Sequence, residues 1–110
     1  MIPEVEPLEA INRIDAGAFL LDVRESEEWE MGHAPAAVWI PLGELASRVS
    51  EIPADSEILV ICRSGGRSAT AAEALIGSGL NAINCQGGMQ AWAQADLGVI
   101  TADGSAGQVA

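Results

Sequence analysis

Four consecutive apolar residues, Ile58-Leu59-Val60-Ile61, run directly into Cys62 and the loop Arg63-Ser64-Gly65-Gly66-Arg67-Ser68. An apolar run without alternation marks a strand covered on both faces, which restricts the chain to a sheet held between helices. The loop then places a thiol where a buried strand meets a helix N-terminus. Unpaired backbone N–H groups and the helix dipole favour the thiolate there. The same N–H groups can cradle an anion, and Arg63 and Arg67 add positive charge within reach of the sulfur. This is how an activated cysteine nucleophile for an anionic substrate would be built.

Apolar runs alternate with helix-period segments along the chain, as βα units and a parallel sheet require. Residues 2–5 read as a short first strand. Residues 7–15 read as a helix, with Pro7 in the first turn, Leu8, Ile11 and Ile14 on one face, and Gly17 as the stop. A buried strand follows over 19–23, then a short helix with Ser26 as N-cap and Gly32 as its end. Residues 32–37 are loop and 38–40 a third strand, broken by Pro41; 42–49 is helical with Leu42, Leu45, Ala46 and Val49 on one side. After the central strand come a helix over 68–78, a strand over 82–85, a turn at Gln86-Gly87-Gly88 and a helix over 89–95. Residues 1–100 are therefore expected to form one domain, and 101–110, small and polar without periodicity, a flexible C-terminal tail.

With 110 residues the chain can build one core but not two. No apolar stretch approaches the ~18–20 residues of a membrane span. The opening Met1-Ile2-Pro3-Glu4 has no basic n-region followed by an apolar stretch, so no secretory signal is expected. Two cysteines do not describe a disulfide framework, and a reducing cytoplasm is the expected setting. Sixteen acids against five arginines give a net charge of −11, which argues against nucleic-acid and anionic-membrane partners. A small anion is not excluded. Carboxylates beyond about 8 Å are largely screened at physiological salt, whereas an arginine at about 4 Å contributes on the order of 4 kcal/mol at a dielectric near 20.

Three stretches together resemble the single-domain rhodaneses, the sulfurtransferase homology domain. They are Leu21-Asp22-Val23-Arg24 with Glu28-Trp29, Gly32-His33-Ala34 and Ala36-Ala37; the loop from Cys62 to Ser68; and Gly87-Gly88-Met89-Gln90-Ala91-Trp92. The resemblance covers about residues 2 to 99. It implies an α/β fold, a three-layer α/β/α domain around a five-stranded parallel sheet, with Cys62 at the C-terminal edge of the fourth strand. No cofactor is expected, and two cysteines and one histidine show no metal-ligand spacing; the resemblance also implies a two-step reaction. Cys62 takes the outer sulfur of a small anionic donor such as thiosulfate, holds it as a persulfide, and yields it to a thiol or cyanide acceptor or to a protein thiol partner. Arg63, Ser64, Gly65, Gly66, Arg67 and Ser68 surround the transferred sulfur in this reading.

The residue types suit that chemistry. A cysteine with a pKa near ~8.5 supplies only a few per cent thiolate at neutral pH, and lowering it by about 1.5 units, roughly 2 kcal/mol, makes about half of it reactive. Gly65 and Gly66 are expected to let the backbone curl so that N–H groups converge, while Arg63 or Arg67 meets departing sulfite oxygens. A phosphatase loop is the rival for a Cys-loop-Arg cradle. Only four residues separate Cys62 from Arg67, one fewer than the phosphatase pattern carries, and no Asp is obviously placed to protonate a leaving alkoxide.

Other residues have plainer readings. Cys85 is expected to pack in the core, with a redox partnership to Cys62 as the sharper alternative. His33 is expected to tie its loop to the sheet edge by a hydrogen bond. Asp22 and Arg24 are expected to position neighbouring loops through ion pairs, Arg24 facing Glu28, with direct substrate contact from Arg24 left open. Glu25, Glu27, Glu28 and Glu30 read as a solvated helix face, and Trp29, Trp39 and Trp92 as core or near-core residues, with Trp39 able to line the cleft. Beside the enzyme, two other functions fit: a persulfide carrier serving a specific protein with little thiosulfate activity, and a redox sensor using Cys62 and Cys85.

Overall fold

The computed structural model describes residues 2–110 and places every strand parallel in one sheet. The strands are β1 (Glu4–Val5), β2 (Phe19–Asp22), β3 (Val38–Trp39), β4 (Glu57–Ile61) and β5 (Asn81–Cys85), in the order β1-β5-β4-β2-β3. The helices are α1 (Pro7–Asp15), α2 (Ser26–Met31), α3 (Leu45–Arg48), α4 (Gly66–Gly77) and α5 (Gly88–Gln94). The central position of β4 follows from its composition. Ile58, Leu59, Val60 and Ile61 are each 0% exposed, and only a strand with neighbours on both edges and helices on both faces buries all four.

Alternation along β4 divides the core into two halves. Ile58, Val60 and Cys62 pack with Leu45, Ala71, Ala72 and Leu75, under α3 and α4. Leu59 and Ile61 pack with Ala10, Ile83, Cys85, Met89 and Trp92, under α1 and α5. The result is the expected α/β/α sandwich of three layers.

Several boundaries differ from the sequence reading. Strand β1 is only Glu4–Val5, although the Pro3 carbonyl still accepts the Asn84 N–H at 2.9 Å. The single helix expected over 42–49 is broken into a 3₁₀ turn at Leu42–Glu44, the single-turn α3, and a second 3₁₀ turn at Val49–Glu51. The tighter turns keep Leu42, Leu45 and Val49 against the core, and Arg48 spans Glu44 and Glu51 at 2.9 Å each. The N-cap of α2 is Glu25, one residue earlier than Ser26. It forms a reciprocal capping box with Glu28 that satisfies two N-terminal donors.

The segment read as a tail folds back on the domain. Ile100 bridges to His33 and to Ala106 in antiparallel fashion. The Gly107 N–H reaches the Val99 carbonyl at 2.8 Å and the Gln108 N–H the Met31 carbonyl at 2.9 Å. Val109 packs against the α1/α5 half of the core.

At the C-terminal end of β2, Asp22 and Arg24 lie two residues apart on the same face and form a fully buried ion pair at 2.8 Å. Arg24 also donates to the Gly32 carbonyl at 2.8 Å, and its own carbonyl accepts the Trp39 indole N–H at 2.7 Å. Arg24 thus ties the loop after β2 to the loop after α2 and to the end of β3. Removing one partner leaves a buried charge without compensation. Asp22→Ala is expected to lose about 3–5 kcal/mol in urea unfolding, with Asp22→Ala/Arg24→Met recovering much of it. A single-variant loss below ~1 kcal/mol would show that the pair does not hold these loops.

Candidate active site

Cys62 follows the last residue of β4 and is 1% exposed. The chain then turns through Arg63 and Ser64 into Gly65, whose φ of +109° makes it the left-handed N-cap of α4. That conformation aims the Gly65 N–H at Cys62 Sγ, 3.1 Å away. Ser68, in the first turn of α4 and 0% exposed, donates its hydroxyl to the same sulfur at 3.2 Å. Burial pushes the Cys62 thiol up, but the Ser68 hydroxyl and the backbone N–H groups of Ser68, Gly65 and Ser64 together outweigh it, and the thiol lies below its ordinary value. Its electrostatics therefore favour a nucleophilic sulfur.

The loop is held from below by the start of α5. The Met89 N–H donates to the Cys62 carbonyl at 2.7 Å and the Gln90 N–H to the Arg63 carbonyl at 3.0 Å. This approach requires glycine at position 88. A Cβ there would sit 2.5 Å from the Cys62 carbonyl oxygen and 2.6 Å from Arg63 backbone atoms, at a φ of +58°. The expectation that Gly65 and Gly66 both let the loop curl holds for Gly65 alone. Gly66 is already helical, and a Cβ there meets nothing within 4 Å.

The two loop arginines are already engaged. Arg67 forms a bidentate pair with Glu28 at 2.6 and 2.7 Å. Those hydrogen bonds hold the Glu28 carboxyl at about 2, overriding a burial effect in the opposite direction. Arg63 is exposed and donates Nε–H to the Ala110 carbonyl. Glu28 is therefore not part of a solvated face, as its neighbours in the acidic run suggested. Nor does Arg24 face Glu28: the short i,i+2 spacing along a strand turns it back to Asp22. Arg24 is 0% exposed and its guanidinium is engaged by Asp22 and the Gly32 carbonyl.

His33 stacks on Trp29 with ring centroids 3.6 Å apart and an interplanar angle of 5°. Its Nδ1 lies 3.1 Å from the Trp29 carbonyl. It ties its loop to α2 and to the returning C-terminal segment rather than to a sheet edge, and Trp39 stacks beyond Trp29 at 5.9 Å. Cys85 is 3% exposed, and burial pushes its thiol up to about 12. It packs in the α1/α5 half of the core while Cys62 packs in the other, so the sheet stands between the two side chains.

A family model described as the rhodanese-like domain matches residues 6–95. The chain belongs to the rhodanese-like domain family. Among relatives, it is 43% identical over 95 residues to Bacillus subtilis YrkF, provisionally named a sulfur carrier protein, covering 83% of this chain and 51% of that one. It is 40% identical over 78 residues to Bacillus subtilis YtwF, provisionally named a sulfurtransferase, covering 71% of this chain and 76% of that one. The crystal structure of a rhodanese-related protein from Thermoplasma volcanium superposes with a TM-score of 0.84 at 33% identity, covering 89% of this chain and 97% of that one. The chain thus spans about half the length of YrkF and most of the other two.

The rhodanese-like loop of this chain depends on contacts that sequence inspection passed over, Gly88 beneath Cys62 and Glu28 on Arg67. The Gly-Gly pair of the closing motif was the available signal for the first; the second joins residues 39 apart and has no local signature. Gly88→Ala is expected to lower stability by more than ~1 kcal/mol, because it combines a left-handed φ with a clash. Gly66→Ala is expected to be neutral or to stabilise by up to ~1 kcal/mol. Equal losses in thermal unfolding would contradict the loop geometry.

Proposed function

We propose that this rhodanese-like chain is a sulfurtransferase carrying a sulfane sulfur as a persulfide on Cys62. The observation that supports this most is the convergence of the Gly65 N–H and the Ser68 hydroxyl on a single sulfur, 3.1 and 3.2 Å away. In the first step the Cys62 thiolate attacks the outer sulfur of a thiosulfate-like donor. A new S–S bond forms, the donor S–S bond breaks, and sulfite leaves with the bonding pair. In the second step a thiolate or cyanide acceptor attacks the terminal sulfur and Cys62 is released as thiolate. Sulfite departs as a stable anion, so neither step needs a general acid, and the donors around the sulfur act by electrostatic preorganisation.

Near-complete burial of Cys62 sets a condition on this chemistry. The donor must enter between the exposed residues Arg63, Ser64 and Gly66 and present a single atom. This suits one sulfur better than a tetrahedral phosphate. The pairing of Arg67 with Glu28 also counts against a phosphatase, which would turn that guanidinium toward its oxyanion.

The same pairing favours a second reading, in which the chain is a persulfide carrier loaded by a protein partner. With Arg67 matched by Glu28 and Arg63 bonded to Ala110, a dianion gains less from either guanidinium. A net charge of −11 suits recognition by a basic surface, and the name of YrkF points the same way. A reducing compartment such as the cytoplasm suits both readings. A Cys62–Cys85 disulfide switch is disfavoured, since the sheet separates the two residues.

Intact-mass spectrometry after thiosulfate is expected to show one added sulfur atom. Cys62→Ser should lose that gain, and Cys85→Ser should keep it. Uptake from a protein persulfide but not from thiosulfate selects the carrier. Sulfur uptake by Cys62→Ser would overturn both readings.

A further inference from the structure

Beneath the loop lies one buried polar side chain to which the sulfur chemistry assigns no task. Asn84, on β5, is 1% exposed. Its Nδ2 donates to Glu4 Oε2 at 2.8 Å and to the Gly65 carbonyl at 3.2 Å. Its Oδ1 is buried with no hydrogen-bond partner among the described residues. The orientation of the amide is fixed by its surroundings, because an oxygen turned toward a carboxylate and a carbonyl would be repelled by both. A core position that left an amide oxygen unpaired for no purpose would be better filled by an apolar side chain.

The Gly65 carbonyl does not need Asn84 to satisfy it. It already accepts the Ala69 N–H at 3.1 Å as the first helical bond of α4. What Asn84 adds is a second donor from a different direction, anchored in the sheet and braced by β1. Gly65 rests directly on this end of β5: a Cβ on it would lie 3.4 Å from the Gly87 nitrogen and 3.9 Å from Asn84 Nδ2. The peptide after Gly65 is thereby held from below, while the N–H before it points at the sulfur.

We propose that Asn84 is a positioning residue for the sulfur site: its amide, braced by Glu4, fixes the Gly65 peptide so that the Gly65 N–H is aimed at Cys62 Sγ. This rests on the reading of Cys62 as the nucleophile. It assigns a task in that chemistry to a side chain more than twenty positions along the chain and on a different strand. The other charged groups at the site bond elsewhere, Arg63 to Ala110 and Arg67 to Glu28, and none is hydrogen-bonded to Asn84.

The test is the pH profile of Cys62 alkylation by iodoacetamide, measured in a Cys85→Ser background so that one thiol reports. Asn84→Leu is expected to leave the melting temperature unchanged or raised, because the orphaned oxygen is gone. Its alkylation midpoint should move to higher pH, with the rate near neutrality reduced roughly threefold to tenfold. Glu4 is exposed, so Glu4→Ala should fold and shift the midpoint in the same direction by less. An unchanged midpoint in Asn84→Leu would overturn the proposal, whatever happens to stability. Should Asn84→Leu fail to fold, an unchanged midpoint in Glu4→Ala would overturn it. Alkylation reads the thiol itself, so failure of sulfur uptake by the wild-type protein would count against the proposed function and not against Asn84.

Discussion

Everything at this site depends on how the surroundings of one sulfur balance. Burial at the end of a strand covered on both faces disfavours a charged sulfur, and in an apolar setting it would leave Cys62 an inert core thiol. Cys85 is that case. It ends the neighbouring strand, it is nearly as buried, and burial, with the charges of Cys62 and Asp22 nearby, pushes its thiol up to about 12. Cys62 differs because its strand runs into the first turn of α4, where the backbone N–H groups of Ser64, Gly65 and Ser68 and the Ser68 hydroxyl face it. Two cysteines at the ends of adjacent parallel strands thus acquire opposite chemistry from the direction of one hydroxyl and a few N–H bonds.

The loop holds this arrangement because it is supported from several sides. α5 grips the Cys62 and Arg63 carbonyls, β5 meets Gly65 through Asn84, and α2 clamps Arg67 through Glu28. Each support comes from a separate part of the chain, so the sandwich must assemble before the sulfur environment exists. The buried Asp22–Arg24 pair serves the same end at the neighbouring strand, where Arg24 ties the loop after β2 to Gly32 at the end of α2 and to Trp39 on β3.

Local pattern made much of this legible in the sequence. The unalternated run at 58–61 identified the central strand, Pro7 and Gly17 bracketed α1, and the loop from Cys62 to Ser68 marked the site. Contacts across the fold were harder to read. Glu28 was read as an acid of a solvated face or a partner of Arg24, and nothing local to it pointed to Arg67. Arg24 was expected to pair, but its partner was decided by strand geometry that the residue string does not display. The helix over 42–49 was periodic enough to read as one piece, yet packing broke it into tighter turns. Asn84 carried no signal, because a single Asn in a strand acquires meaning only from the carbonyl that lies above it.

The central claim is that hydrogen-bond donors outweigh burial at Cys62 and hold its thiol below the ordinary cysteine value. The most direct measurement is a pH titration of thiolate ultraviolet absorbance in the wild-type protein, with Cys62→Ser as the baseline. The account predicts a Cys62 transition clearly below the ordinary cysteine value of about 8.5. A transition at or above that value would contradict it, since burial would then dominate the site and no activated sulfur would exist.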